Sequence, residues 1–376
     1  MNVSRRRMMQ SAAAAGLAAF APAASAAPAR SRFEAKDTPK ICLEPGLLMT
    51  PDEAAVAKRV KQLGVDYVMG VGGGRMPWEE ERLKAVIDRW KGYGLTVGHM
   101  MIGGLNNVTY GRAGKDQDIE NMIKSIRAAG KAGLPVIEYN WYAHRASEGY
   151  FEESGRAGAG WTGFDYEREI DEGGKKIKVK DLPPRPNEGA RTTEEMWANI
   201  TYFLKAVVPE AEKAGVRLAL PPNDPPAPVA RGSQQIMGTV EGWKKLVNIV
   251  KSPYNGITFD SGVTREMGAD AAEVCKYFAD RDCINHVHYR NVKVQKPYER
   301  YAEVFIDEGE NDMFAVMKVL VKSKYPRLVY PEHARGLDYD RERQGFRPLY
   351  PGGGGYAAFA FNVGFTRAML QAALVS

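Results

Sequence analysis

Eight short apolar runs, separated by stretches with helical spacing, constrain this chain more than any other feature. They are Lys40–Leu43, Val65–Met69, Leu95–Met101, Leu134–Tyr139, Val216–Leu220, Gly256–Phe259, Ile284–His288 and Arg327–Tyr330. Each has the length and residue types of a buried strand, whereas the segments between them carry apolar residues at helical period. That period predicts helices near 78–93, 117–132, 191–215, 239–251, 267–279, 311–323 and 356–374. After the first run, Thr50-Pro51-Asp52-Glu53 reads as an N-cap followed by proline at the first helical position. So many strand–helix units favour a closed (β/α)8 TIM barrel over an open doubly wound sheet. The barrel is expected to occupy 38–376, with an insertion at about 141–190 that is rich in Gly, Arg, Lys and Pro and shows neither period.

Composition narrows the partners. The 376 residues are 44% hydrophobic and 26% charged, a globular balance without a transmembrane run in the body. At the start, Ser4-Arg5-Arg6-Arg7-Met8-Met9 precedes an alanine-rich apolar stretch, Ser11 to Ala24, and then Ala24-Ser25-Ala26. A charged segment, an apolar segment and small residues at a cleavage point make an export signal, and the arginine pair suggests the twin-arginine route. The competing readings are an amphipathic helix or a membrane anchor. The expectation is therefore a signal over 1–26, a linker over 27–37, a periplasmic or secreted product, and no stable membrane insertion. Removing Arg5, Arg6 and Arg7 takes the net charge from +6 to +3. With no basic stripe interleaved with aromatics, no nucleic-acid partner is expected. Cys42, Cys275 and Cys283 form no CxxC and cannot build a cysteine-ligated zinc site.

Nucleotide and serine-hydrolase signals are missing. Gly70-Val71-Gly72-Gly73-Gly74 lacks GxGxxG spacing, and neither GxxxxGK[ST] nor GxSxG occurs. The Gly352–Gly355 run reads as a flexible loop.

Chemistry in such a barrel collects just past the strand C-termini. There the chain carries Pro221-Pro222-Asn223-Asp224-Pro225-Pro226, Asp260-Ser261-Gly262, His286-Val287-His288-Tyr289-Arg290-Asn291 and Pro331-Glu332-His333-Ala334-Arg335. Asp260, His288 and Glu332 place carboxylate, imidazole and carboxylate on three successive strands, a mixed set suited to Mn²⁺, Mg²⁺, Fe²⁺ or Zn²⁺. Taken singly, Asp260 is a capping carboxylate, a strand histidine a core residue, and Glu332-His333 a charged turn. Their joint placement at consecutive strand ends points instead to a site. His286 and His288 share a strand face. Arg290 and Arg335 could grip a substrate carboxylate bidentately, or serve as structural salt bridges. Tyr139, Trp141, Tyr142 and His144 follow the fourth strand and could line a sugar pocket, with a core role equally open for Trp141.

Residues 216–335 resemble the mannonate dehydratases of the xylose isomerase-like barrel superfamily. The resemblance is carried by 219–226 (ALPPNDPP), 252–259 (SPYNGITF), 286–292 (HVHYRNV), Asp312-Met313 and Pro331-Glu332-His333, and weakly by Tyr139-Asn140-Trp141. It implies a divalent metal, Mn²⁺ first, with Mg²⁺ or Fe²⁺ as options. The departures matter as much. Pro221 stands where the family pattern has a ligating histidine, Asp260 where it has a cysteine, and Glu332 where it has an aspartate. Only His288 is unchanged among the four implied ligands. The superfamily's usual fourth ligand is a glutamate, for which the chain offers Asn223 or Asp224. The family's tyrosine near the C-terminus falls on Gly353, with Tyr356 or Tyr350 nearby.

The implied activity is a hydro-lyase removing water from a sugar acid such as D-mannonate to give 2-keto-3-deoxygluconate. The resemblance casts Asp260, His288, Glu332 and Asn223 as metal ligands. It gives catalytic roles to His333 as acid, to Arg290 on the carboxylate and to Tyr356. Asn291, Arg335, Tyr139, Trp141 and His144 would contact substrate. A sugar isomerase or epimerase and a non-catalytic sugar-acid binding protein remain alternatives. Barrels of this kind often associate, so a homo-oligomer is an open option.

Overall fold

The structure, a computed structural model, describes residues 33–48 and 52–376. Eight parallel strands form the barrel: β1 Lys40–Leu43, β2 Tyr67–Met69, β3 Thr96–Gly103, β4 Val136–Tyr139, β5 Arg217–Leu220, β6 Asn255–Asp260, β7 Ile284–His288 and β8 Leu328–Tyr330. Lys40 pairs with Leu328 across β1 and β8, and Tyr67 with Thr96 across β2 and β3, which closes the ring. Most residues of these strands are buried, as expected where helices cover a parallel sheet. In β6 all six residues are buried.

The outer ring is α1 Glu53–Gln62, α2 Glu80–Gly92, α3 Lys115–Ala132, α4 Thr193–Ala214, α5 Val240–Ile249, α6 Ala271–Ala279, α7 Met313–Lys322 and α8 Tyr356–Leu374. The longest, α4, shows why these segments are helical. Thr192 Oγ1 accepts the Glu195 N–H at 3.2 Å while Glu195 Oε2 accepts the Thr192 N–H at 2.9 Å, a reciprocal cap. Gly215 ends the helix at φ 69°. Between these ends, Ile200, Phe203, Leu204 and Val207 lie on one face and are fully buried, each burial stabilising by about 1.5–3 kcal/mol.

Several expectations are revised. The cap of α1 is Asp52, whose Oδ1 accepts the Ala54 N–H at 3.1 Å. Thr50 and Pro51 lie outside the described residues, as do the signal expected over 1–26 and most of the expected 27–37 linker. At the described end of that linker, Glu34 is buried and its Oε1 accepts the Ile41 N–H at 3.3 Å. The helix expected over 267–279 begins at Ala271 as α6, and a separate short helix, Ser261–Glu266, capped by Asp260, precedes it, the two parted by Gly268 at φ 81°. Within the insertion, Tyr150–Ser154 and Gly160–Asp165 join Arg300–Val304 and Asn291–Lys296 in a four-stranded antiparallel sheet over the barrel mouth. The Gly352–Gly355 run is a packed contact and not a loose loop. A Cβ on Gly352 would lie 2.1 Å from the Trp161 carbonyl oxygen, so only glycine lets these two backbones meet.

Candidate active site

Register brings the strand ends together. Asp260 on β6 sits opposite His288 on β7, and His288 opposite Tyr330 on β8, two residues before Glu332. The His288 Nδ1 atom lies 3.5 Å from Asp260 Oδ2 and 3.2 Å from Glu332 Oε2. One donor atom from each of the three lies within 4.8 Å of the others. Asp260 combines two jobs. Its Oδ1 accepts the Val263 N–H at 2.8 Å and caps the short helix, which leaves Oδ2 turned into the site. Burial would raise the Asp260 carboxyl, but Arg290 and His288 hold it well below the usual carboxylate range. Burial opposes charge on His288 as well, and Glu332 and Asp260 outweigh it, keeping the imidazole basic. Two carboxylates and one imidazole converging in this way suit a hard to borderline divalent cation.

Arg290 has a different place from a substrate clamp. It is 2% exposed and spans four carboxylates. Its Nη1 donates to Glu266 Oε1 at 2.7 Å, its Nε to Glu332 Oε1 at 3.1 Å and Asp260 Oδ2 at 3.2 Å, and its Nη2 to Asp224 Oδ2 at 3.2 Å. The guanidinium is the internal counter-charge of the site. Arg335 is likewise locked: its Nε donates to the His333 carbonyl at 2.6 Å, and its Nη1 to Thr162 of the inserted sheet.

His333 lies beside this group with its backbone at φ 48°, a left-handed conformation that histidine tolerates better than most residues. Its Nδ1 contacts Glu303 Oε2 at 2.7 Å, which leaves Nε2 on the site side, 3.8 Å from Glu332 Oε2. Burial would lower the imidazole, but Glu303 and Glu332 together raise it. Glu303 comes from the hairpin after β7, so the inserted sheet completes the site. Tyr350 packs on the His333 ring at 4.8 Å between centroids. Tyr356 instead starts α8, with its hydroxyl 3.4 Å from the Arg59 carbonyl of α1.

Other expected contacts fall elsewhere. Asn223 is not brought to the three ligands: its Oδ1 accepts the Met237 N–H at 2.8 Å and pins the loop after β5. Asn291 spends its amide on the Ile306 carbonyl and its oxygen on the Val292 and Asn311 N–H groups. Tyr139 and Trp141 pack outward on Phe203 of α4, at 5.5 and 5.3 Å between centroids. His144 is buried against Glu188 at 3.2 Å. The alternation of β4 explains the parity: with Tyr139 and Trp141 outward, Glu138, Asn140 and Tyr142 face inward.

Asn140 and Tyr142 line a cavity of about 630 Å³ over the ends of β1 to β4, together with Glu44, Arg75 and His99. Sequence reasoning missed Glu44, Arg75, His99, Glu138, Glu266 and Glu303. Only strand parity could have marked His99 and Glu138. Arg75 is exposed and, among the described residues, has no hydrogen-bond or ion-pair partner. The cavity adjoins the ligand group: His99 in its wall meets Glu138 at 3.3 Å, and Glu138 lies 3.9 Å from His288 Nε2.

Comparison with known proteins places this geometry. The solved structure of mannonate dehydratase from Streptococcus suis serotype 2 superposes with a TM-score of 0.73 at 24% identity, covering 89% of this chain and 95% of that one. A xylose isomerase domain protein from Planctomyces limnophilus superposes at 0.53 with 11% identity, covering 90% and 99%, a likeness of xylose isomerase-like fold alone. In sequence, the mannonate dehydratase of Streptococcus pneumoniae (strain 70585) is 30% identical over 260 residues, 65% of this chain and 70% of that protein. That of Thermotoga maritima is 29% identical over 277 residues, 64% and 73%. The family profile described as D-mannonate dehydratase (UxuA) matches residues 52–372, so this chain belongs to the mannonate dehydratase family.

Proposed function

We propose that the protein is a metal-dependent hydro-lyase that dehydrates a sugar acid, D-mannonate or a closely related aldonate, to a 2-keto-3-deoxy acid. The observation that carries this reading is the convergence of Asp260, His288 and Glu332 beside His333, in a chain of this family. The donor set fits the divalent cation on which the family depends: Asp260, His288 and Glu332 would hold it, with Mn²⁺ favoured because two of three donors are carboxylates. When bound, the cation supplies Lewis-acid stabilisation of negative charge developing beside the substrate carboxylate.

The chain's own residues supply the rest. The C2 proton passes to a basic group of the site and on to solvent, its bonding pair becomes the C2–C3 double bond, and the C3 hydroxyl leaves as water once protonated. The enol then tautomerises to the 2-keto acid. His333 is the proton donor to that hydroxyl: Glu303 and Glu332 keep it charged, and Nε2 faces the site. Arg75 is the uncommitted guanidinium in the adjoining cavity and anchors the substrate carboxylate, a role closed to Arg290 by its four carboxylates. Asn140 and Tyr142 offer groups to the sugar hydroxyls.

The test is proton NMR of Mn²⁺-loaded protein with D-mannonate in deuterated water. Loss of the C2 proton with appearance of a 3-deoxy methylene is expected. Exchange or epimerisation without the methylene would move the enzyme to the isomerases, a reading that Asp260 in the cysteine position favours. A spectrum that never changes overturns both. The twin-arginine pattern of residues 4–9 supports a periplasmic or secreted site of action; Arg5→Lys with Arg6→Lys should then retain the protein in the cytoplasm.

A further inference from the structure

A second group of metal-capable side chains lies within the barrel, and the proposed reaction does not use it. His99 on β3, Glu138 on β4 and His286 on β7 are 0%, 1% and 0% exposed. One donor atom of each lies within 4.8 Å of the other two. The two imidazoles stack at 4.5 Å between centroids. His99 Nε2 comes within 3.3 Å of Glu138 Oε2, but without the alignment of a hydrogen bond. Among the described residues, none of the four ring nitrogens of His99 and His286 makes a hydrogen bond of good geometry, with Glu138 the polar neighbour of His99 and the Leu328 backbone that of His286. Buried polar groups ordinarily find a partner in a dry interior. Glu138 accepts the Thr258 hydroxyl at 2.7 Å and has no lysine or arginine within ion-pair distance among the described residues. Burial opposes the Glu138 charge, and only the neighbouring imidazoles His99, His288 and His286 hold its carboxyl below the usual carboxylate range.

We propose that His99, Glu138 and His286 bind a divalent cation of their own. Two imidazoles and one carboxylate form a softer set than Asp260, His288 and Glu332, and match Zn²⁺ or Fe²⁺. An ion there gives each imidazole a lone-pair acceptor and adds a second positive charge beside Glu138, which His288 already approaches at 3.9 Å. His99 lines the 630 Å³ cavity, which provides the access route that a bound metal needs. His288 stands between the two groups, with Nδ1 turned to Glu332 at 3.2 Å and Nε2 toward Glu138 at 3.9 Å. The inner ion would fix that ring through Glu138, as carboxylates do for ligating histidines. This inference goes beyond the dehydratase reading and does not depend on the substrate.

The experiment is metal analysis of the full-length protein equilibrated with excess Zn²⁺ and freed of loosely bound ion. Two ions per chain are expected in the wild type. His99→Gln with His286→Gln should retain one, and Asp260→Asn with Glu332→Gln should also retain one. X-ray absorption at the zinc edge of the wild type, which requires no variant to fold, should give more than one imidazole per zinc on average. A single ion lost with the Asp260 and Glu332 changes, or two ions unaffected by the His99 and His286 changes, overturns the inner site. A single ion that survives the Asp260 and Glu332 changes and is lost with His99 and His286 upholds it, while removing the outer metal from the catalytic reading.

Discussion

The two halves of the barrel mouth treat charge in opposite ways. Over β6 to β8, Asp224, Asp260, Glu266 and Glu332 surround one buried arginine, and His288 and His333 are each held against carboxylates. Over β1 to β4, a cavity of about 630 Å³ is lined by glycines, amides and apolar side chains, with Glu44, His99 and one exposed arginine among its titratable groups. In the first half every charge already has a partner, so it can organise a reaction but has little left with which to grip a charged substrate. In the second half the free cation and the open volume permit binding, and glycine makes the space. At Gly70 in the cavity wall, with φ 68°, a Cβ would fall 3.0 Å from Glu44 Cγ. Two arginines at one barrel end therefore have different work: Arg290 holds the site together, and Arg75 holds what enters it.

The largest effect expected from breaking that contrast is on Arg290. Arg290→Met strands the buried Asp260, Glu266 and Glu332 and the half-buried Asp224 without their guanidinium, which should cost about 3–5 kcal/mol of stability, as removal of one member of a buried ion network does. Thermal or denaturant unfolding reads this directly. A variant as stable as wild type would show that the carboxylates are not held by Arg290, and would reopen it as a substrate ligand. Loaded metal should restore part of the lost stability, because a cation at Asp260 and Glu332 replaces part of the missing charge.

The same contrast governs what could be read from the sequence. The barrel was legible because strand length, β-branched content and intervening helical period are local properties. Asp260, His288, Glu332 and His333 were legible because strand ends of a barrel converge whatever lies between them. The job of Arg290 was not, since its neighbours Asp224 and Glu266 come from the loop after β5 and the short helix after β6, and only the assembled interior shows the guanidinium saturated. Tyr139 is read as a pocket residue, and Trp141 is left open between pocket and core, because a single aromatic run does not declare its parity, which Phe203 of α4 decides. Glu303 was hidden for a third reason: the Arg300–Val304 strand exists through pairing with the insertion, where Glu303 sits opposite Thr162.

The next effect is on Arg75. Arg75→Ala should raise KM for the sugar acid by about 10- to 100-fold, the weight of one charge-assisted contact of about 1.5–3 kcal/mol. The melting temperature should hardly move, because the side chain is exposed and unpartnered among the described residues. Steady-state kinetics beside a melting curve separate the two arginines: loss of binding without loss of stability for Arg75, and the reverse order of effects for Arg290. An unchanged KM would take the substrate carboxylate out of this cavity.

The smallest effect concerns Glu44, the carboxylate in the wall of the open half. Burial raises its proton affinity, and repulsion from Glu332 adds to the shift, with His99 opposing. A carboxyl raised on folding favours the protonated protein. Its contribution to stability is thus fully present below the unfolded pKa, near 4.5, and is lost as pH rises through the higher folded value. Glu44→Gln removes the charge that burial penalises, so it should match wild type near pH 4 and gain at most about 1 kcal/mol near pH 8. Melting curves of metal-free protein at the two pH values check this. A bound cation nearby would stabilise the Glu44 carboxylate and shrink the gain, so repeating the measurement with Mn²⁺ tests whether the open and the saturated half share one electrostatic field. A gain at pH 8 that is identical with and without metal would mean that they do not.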